Sequence, residues 1–485
     1  MNDPALPMGL IEQVNHWCLQ GMTALNRDIL RDRRPPGSLK IEFGAVLAPL
    51  PSPAHLLPGQ AQQLLVLLGL AGASVGRHYQ EADPAHRATP ADAFTGLMVG
   101  TAREPFARYF ARLADRSGTG HCARDSFASL VRWNLPAVEV EGNGQILARL
   151  ESVFDDGLVR TYTGAVDELR FFGLLKASEV VEQAVNRELM PLSDGSLRLD
   201  EDEALTRIGR AVVLLEALRE LNQDFAERPP ADGLGVAHFM DVFRQFAVHW
   251  SPGDIPPSGA LDVEALIRDL LVGIDLPGYP EHLRRLLPAL LDTERTVLST
   301  LLERVSLPRA ALRMAQWESD ALVTGSVLEL HRLVVRHPVL AALYLLLNAH
   351  SRVAGVHLRL SKMFLFDPQR DRERDGRGDS GVVSNRIGTT GMDETRLELF
   401  TRVRREHLLA PLRVIPVRIL EALARPTTIV AGSTALTRVL VRFTGSVVNS
   451  YDLGLPDRPM THPHGRPTTL VVERSGVWPL EPGLA

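Results

Sequence analysis

The chain is poor in cysteine, in lysine and in long apolar runs. Two cysteines in 485 residues, Cys18 and Cys122, cannot build a disulfide framework and lack the clustering of a zinc site. A reducing cytoplasm is therefore the expected compartment. Lysine occurs only at 40, 176 and 362, so arginine supplies 50 of the 53 basic residues. A formal charge of −5 and a pI near 6.3 leave no basic surplus for phosphates, and nucleic acid is not an expected partner. The uncharged stretch from Leu56 to Gly76 is interrupted by Pro58, Gly59 and three glutamines, and its apolar core, Leu64 to Ala73, falls short of the ~20 residues that span a bilayer. Met1 to Trp17 has no basic run leading into an apolar core, so neither a membrane nor a secretory route is expected.

The residues that are present have ordinary globular proportions, 45% apolar and 23% charged. Apolar residues recur at three- and four-residue spacing over 9–31, 60–80, 91–115, 145–191, 201–226, 237–250, 261–273, 280–306, 309–336, 339–365 and 393–424. Proline and glycine punctuate these stretches. β-Branched runs come late, at Thr427–Ala431 and Thr468–Val472, with Val439–Phe443 ambiguous. The expected fold is mainly α, with a minor β element near the C-terminus. Pro136 and a Gly-Asn-Gly turn suggest a boundary, giving a small helical N-terminal domain (1–145), a large helical domain (146–425) and a C-terminal extension (426–485).

Two segments stand out. Residues 367–386 (DPQRDRERDGRGDSGVVSNR) are polar and glycine-bearing, and read as a mobile loop or lid of about 20 residues. Before it runs LAALYLLLNAHSRVAGVHLRLSKMFLF, from Leu340 to Phe366, which places His350 and His357 on one helical face. Seven residues separate them by roughly 10 Å, too far to ligate one metal ion side by side. A single imidazole on such a face is either a hydrogen-bonded core histidine or the axial ligand of a haem.

Three features combine: Val356-His357-Leu358-Arg359-Leu360, the turn Gly388-Thr389-Thr390-Gly391, and Phe239-Met240-Asp241-Val242-Phe243-Arg244 with Trp250 beyond it. Together they resemble the haem-dependent indoleamine and tryptophan 2,3-dioxygenase superfamily. Tyr162-Thr163-Gly164 followed by Asp167-Glu168, and the His357 string, resemble the monodechloroaminopyrrolnitrin synthase group within it. The resemblance covers roughly residues 150–410. Thr390 stands where the dioxygenases have glycine, and the chain is longer than the pyrrolnitrin-type enzymes at both ends and in the lid loop.

The resemblance implies a haem b cofactor whose iron is held by His357, with His350 as the rival ligand, and a catalytic domain at 146–425. It implies O2 and an aromatic amino-acid-like molecule as partners. Arg244 would clamp the substrate carboxylate in a two-bond fork. Phe239, Met240 and Phe243 would wall the ring. Gly388, Thr389, Thr390 and Gly391 would close over the substrate, with the threonine hydroxyls offered to the ammonium or the reacting oxygen. Tyr162 and Thr163 would lie on the distal side. The implied activity is oxidation of tryptophan or a modified tryptophan, by O2 insertion or oxidative rearrangement, in specialised metabolism. A haem-based O2 sensor or carrier, and a haem-free helical binding protein, remain the other readings of the same residues.

Overall fold

Apolar spacing of three and four residues becomes helix along most of the chain. The computed structural model describes residues 9–118, 120, 124–229, 233–274, 276–388, 390–426, 436, 438–444 and 469–473, the last as strand backbone. After a helical run from Gly9 to Ile29 comes α1 (Pro58–Ala82), whose sequence from Leu64 to Gly76 is buried without interruption. Its apolar residues lie on every side, as in a helix enclosed by neighbours.

A two-stranded hairpin follows, β1 (Val138–Gly142) and β2 (Gln145–Leu150), joined by Asn143-Gly144, a turn pair that matches strand twist. The helix expected over 145–191 therefore begins only at Val166. Residues 145–150 pair with β1 as a strand, with Ala148 and Leu150 turned inward, and an irregular segment leads from them to the helix. The long helices are α2 (Val166–Ser193), α3 (Asp202–Glu227), α4 (Val263–Val272) and α5 (Pro338–Ser361). α3 packs between α2 and α5, and α4 lies on α2. Ion pairs fix the α3 contacts: Arg210 reaches Glu188 of α2 at 2.9 Å, and Arg352 of α5 reaches Glu216.

A π-helical turn, Lys362–Phe366, carries α5 directly into α6 (Asp367–Arg374). The first part of the expected loop is therefore helix. Its charges pair along the helix face, Arg370 with Asp367 and Arg374 with Asp371, so they mark a solvated helix rather than irregular chain. The helix running from Pro338 to Arg374 is long and apolar enough to cross a membrane, yet 61% of its most apolar window is buried, as in the core helix of a bundle. α7 (Glu394–Arg405) packs on α5.

The expected late β element forms: β3 (Arg438–Phe443) and β4 (Thr469–Glu473) extend the hairpin into an antiparallel sheet of order β2–β1–β3–β4. Thr427–Ala431 lies outside the described residues. Glu139 of β1 sits opposite both Arg149 and Arg442, and Arg442 Nε donates to it at 2.8 Å. One continuous apolar cluster runs from Val14 to Val441. Full burial of a Leu or Phe in it contributes ~1.5–3 kcal/mol.

Candidate functional site

On α5, at 100° per residue, His350, Val353, Ala354, Leu360 and Ser361 all fall within about 60° of His357. All but the half-buried Ser361 are buried, while His357 among them is exposed. Burial nonetheless lowers the imidazole's pKa to about 4, helped by the cations of Arg404 and Arg268 and opposed by Asp269. The imidazole thus presents free surface while its surroundings disfavour its charged form. Its ring makes no hydrogen bond among the described residues, and it is neutral at physiological pH.

His350, seven residues earlier, is in a different state. It is buried, and its Nε2 lies 3.2 Å from Asp269 Oδ1, an ion-pair distance without hydrogen-bond alignment. Asp269 Oδ2 accepts from Arg404 Nη2 and from Tyr279 Oη, both at 2.7 Å. Burial opposes ionisation of Asp269, but Arg404, with His350 and Arg268, holds it well below the usual carboxylate range. His350 is thus enclosed by an established charge network. Among the described residues there is no group of three His, Cys, Asp or Glu side chains able to hold a metal ion. A metal-bearing cofactor that needs one protein donor would find it in His357.

The aromatic segment expected as a regular helix over 237–250 is instead a π-helical turn, His238–Phe243, closed by a 3-10 turn through Phe246. π-Helical turns widen the spacing of side chains and recur at functional sites. Phe239 is half-buried and packs edge-on against Phe364 at 6.2 Å, in the π-helical turn that follows α5 and seven residues beyond His357. Phe171 of α2 completes the cluster, 5.5 Å from Phe239 and 5.3 Å from Phe243. Met240 is fully buried and offers no free surface.

Arg244 is buried and pairs with no carboxylate among the described residues. Its Nη2 donates to the backbone carbonyls of Ser384, at 2.6 Å, and Ile387. Both hydrogens of Nη2 are thereby spent, so the free two-bond fork expected from the sequence is not available. Nε is buried without a partner. Burial pushes the guanidinium pKa down to about 10, with Asp379 pulling it up. The guanidinium is thus bonded to neutral carbonyls, with Asp379 acting on it from beyond ion-pair contact.

The carbonyls that hold Arg244 immediately precede the glycine turn. Gly388 N donates to Met392 O at 2.7 Å, Gly391 N donates to Gly388 O at 2.8 Å, and Gly391 has φ 78°. Thr390 is half-buried, and Thr389 lies outside the described residues. The structure therefore brings together Phe239, Phe243, Arg244, Gly388 and the stripe of His357.

Tyr162 and Thr163 have their polar groups committed locally. Glu168 Oε2 accepts from the amides of both, and Glu168 Oε1 from Thr163 Oγ1 at 2.6 Å. The Tyr162 ring stacks on Phe246 at 4.2 Å and lies 6.0 Å from Phe243, backing the aromatic segment. Support from the other side comes from α1. Arg77 donates to the carbonyls of Val242 and Asp241 at 2.6 and 3.1 Å, and Gln80 to that of His249 at 2.8 Å. Trp250 sits against Gly72, where a Cβ would lie 2.5 Å from its ring. Trp250 is thus an anchor for the segment.

Sequence reasoning did not single out Phe171, Phe364, Gln245, Asp379, Asp269 or Arg404. Only Phe364 had a readable signal, its seven-residue spacing from His357. The others act through contacts between distant segments. Compared with known proteins, the chain matches no family model, and no curated protein matches it significantly.

Proposed function

We propose that this protein is a haem-dependent oxidative enzyme acting on tryptophan or a related indole amino acid. The observation that carries the reading is His357: a neutral imidazole with no hydrogen-bond partner among the described residues, exposed on a largely buried helical stripe. That is the donor an iron porphyrin requires, and the helix that carries it leads into Phe364, which packs on the aromatic cluster of Phe239, Phe243 and Phe171. The residues present fit the group, and His357 would hold it. The chemistry that haem supplies when bound is the binding and activation of O2.

The chain's own residues would bind and orient the second substrate. Phe239 offers an aromatic face for an indole ring, in the edge-on or offset geometry that rings prefer. Arg244, whose Nη2 is committed to two backbone carbonyls, would meet the carboxylate through Nη1. The segment from Asp379 to Gly391, tied down over Arg244, would keep water from the pocket.

The test is to reconstitute the protein with hemin and titrate it with L-tryptophan while following the Soret band. The reading predicts a Soret band that shifts on addition of L-tryptophan, and oxidised indole product under O2. A protein that stays colourless with hemin contradicts the cofactor. A Soret band indifferent to L-tryptophan contradicts the substrate.

A further inference from the structure

Gln245 is almost completely buried, 2% exposed, and its amide faces two segments at once. Its Nε2 donates to Met240 O at 2.7 Å and to Val383 O at 3.2 Å. Its Oε1 accepts from Val383 N at 2.8 Å. The side chain thus pairs with the Val383 backbone as a neighbouring strand would, joining the aromatic segment to residues 379–388. Gly381 makes room for this pair: a Cβ there would lie 2.5 Å from Nε2 and 2.6 Å from Oε1 of Gln245. Asp379 closes the strap on itself, accepting from the Ser384 hydroxyl and from Asn385 N at 3.1 Å. The two carbonyls that hold Arg244, those of Ser384 and Ile387, lie just beyond the Gln245–Val383 pair.

We propose that Gln245 is a positioning residue for the carboxylate site: by pairing with Val383 in the space left by Gly381, it seats the strap 379–388 so that its carbonyls fix the Arg244 guanidinium. The carbonyls orient the cation without neutralising it, which leaves Nη1 for an acidic ligand. That ligand class rests on the proposed function; the seating of the strap does not.

Two variants break the latch from opposite sides. Q245A removes the amide, and G381A puts a methyl where the amide sits. The movable neighbour of that methyl is the flexible end of Gln245, so G381A dislodges the pair without deforming a backbone. Hydrogen exchange and ligand affinity are measured on the full chain reconstituted with hemin, using L-tryptophan and tryptamine, which lacks the carboxylate. In both variants the Asn385 and Gly388 amides, neither of which bonds to Gln245, are expected to exchange at least tenfold faster. The preference for L-tryptophan over tryptamine is expected to fall about tenfold, the scale of a charge-assisted hydrogen bond. The double variant is expected to be no worse than either single one, because all three lack the same pair.

Loss of protection at Val383 alone, or an unchanged preference ratio, overturns the proposal. A purely structural role would lower the melting temperature and weaken both ligands equally. If the wild-type chain takes up no hemin, the proposed function fails by itself. The exchange rates of Asn385 and Gly388 in the colourless protein then still decide whether Gln245 seats the strap.

Discussion

Arg404 donates to Asp269 at 2.7 Å, tying α7 to α4 beside the buried His350. Asp269 also balances Arg268 and accepts from Tyr279, so its carboxylate is the shared anion of three helices and a tyrosine. Replacing it with asparagine keeps the shape but leaves the Arg404 guanidinium without its counter-charge, while Arg268 keeps Glu182 at 2.6 Å. The expected cost is about 3–5 kcal/mol in urea unfolding, the scale for breaking a buried pair. Combining D269N with R404M should recover part of it; strictly additive losses would show that the two residues act independently.

Arg244 should govern recognition of acidic ligands and leave the rest of the pocket alone. R244L is expected to retain hemin and to lose about tenfold or more in L-tryptophan affinity, with tryptamine unaffected. R244K should not rescue it, because a single ammonium nitrogen lacks the separate, rigidly spaced nitrogens by which the guanidinium reaches the Ser384 and Ile387 carbonyls on one side and a ligand on another. Equal affinity of R244L and wild type for L-tryptophan would remove Arg244 from the site.

Acid should destabilise the fold through its histidines. Burial lowers His78 to about 3 and His350, His357 and His407 to about 4, all from 6.5. Such groups bind fewer protons folded than unfolded between about pH 4 and 6.5. Their neutral forms favour the native state above that window, and stability is lost as pH falls through it. The contribution is on the order of 2 kcal/mol for each fully buried imidazole, His78 and His350. Unfolding free energies measured at pH 7 and pH 5 should differ in that direction; a protein more stable at pH 5 would contradict the assignment.

The seat of Trp250 on α1 gives a test of how the aromatic segment is held. A Cβ at Gly72 would lie 2.5 Å from the indole, which is a rigid ring wedged among Phe94, Phe106 and Phe110. G72A should cost about 1–3 kcal/mol, the usual cost of overpacking, and should shift tryptophan fluorescence. A melting temperature equal to wild type would mean that the segment is held elsewhere.

Much of this was legible in the sequence where the signal was local. The spacing of Leu340, Leu343, Leu347 and His350 gives helix α5 and its buried face, whereas the turn at Asn143-Gly144 was read as a domain boundary and proves to join a hairpin. Residues 367–374 were misread because paired charges make an exposed helix look like a loop. The β1–β3 pairing joins Val138 to Phe443, and nothing local announces a partner so far along the chain. In the site, Arg244 and Phe239 stood out by residue type and spacing. Gln245 and Gly381 did not, since each has meaning only against the other. His357 was visible as a histidine on an apolar helix; that its buried neighbours leave it exposed is a property of packing.

The most direct test of the account is the absorption spectrum of hemin-reconstituted H357G beside wild type, with and without added imidazole. Glycine removes the donor and leaves a space that free imidazole can enter. The account predicts a five-coordinate ferrous spectrum in wild type, its loss in H357G, and its return with imidazole. An H357G spectrum identical to wild type, or a wild-type chain that binds no hemin, would contradict it.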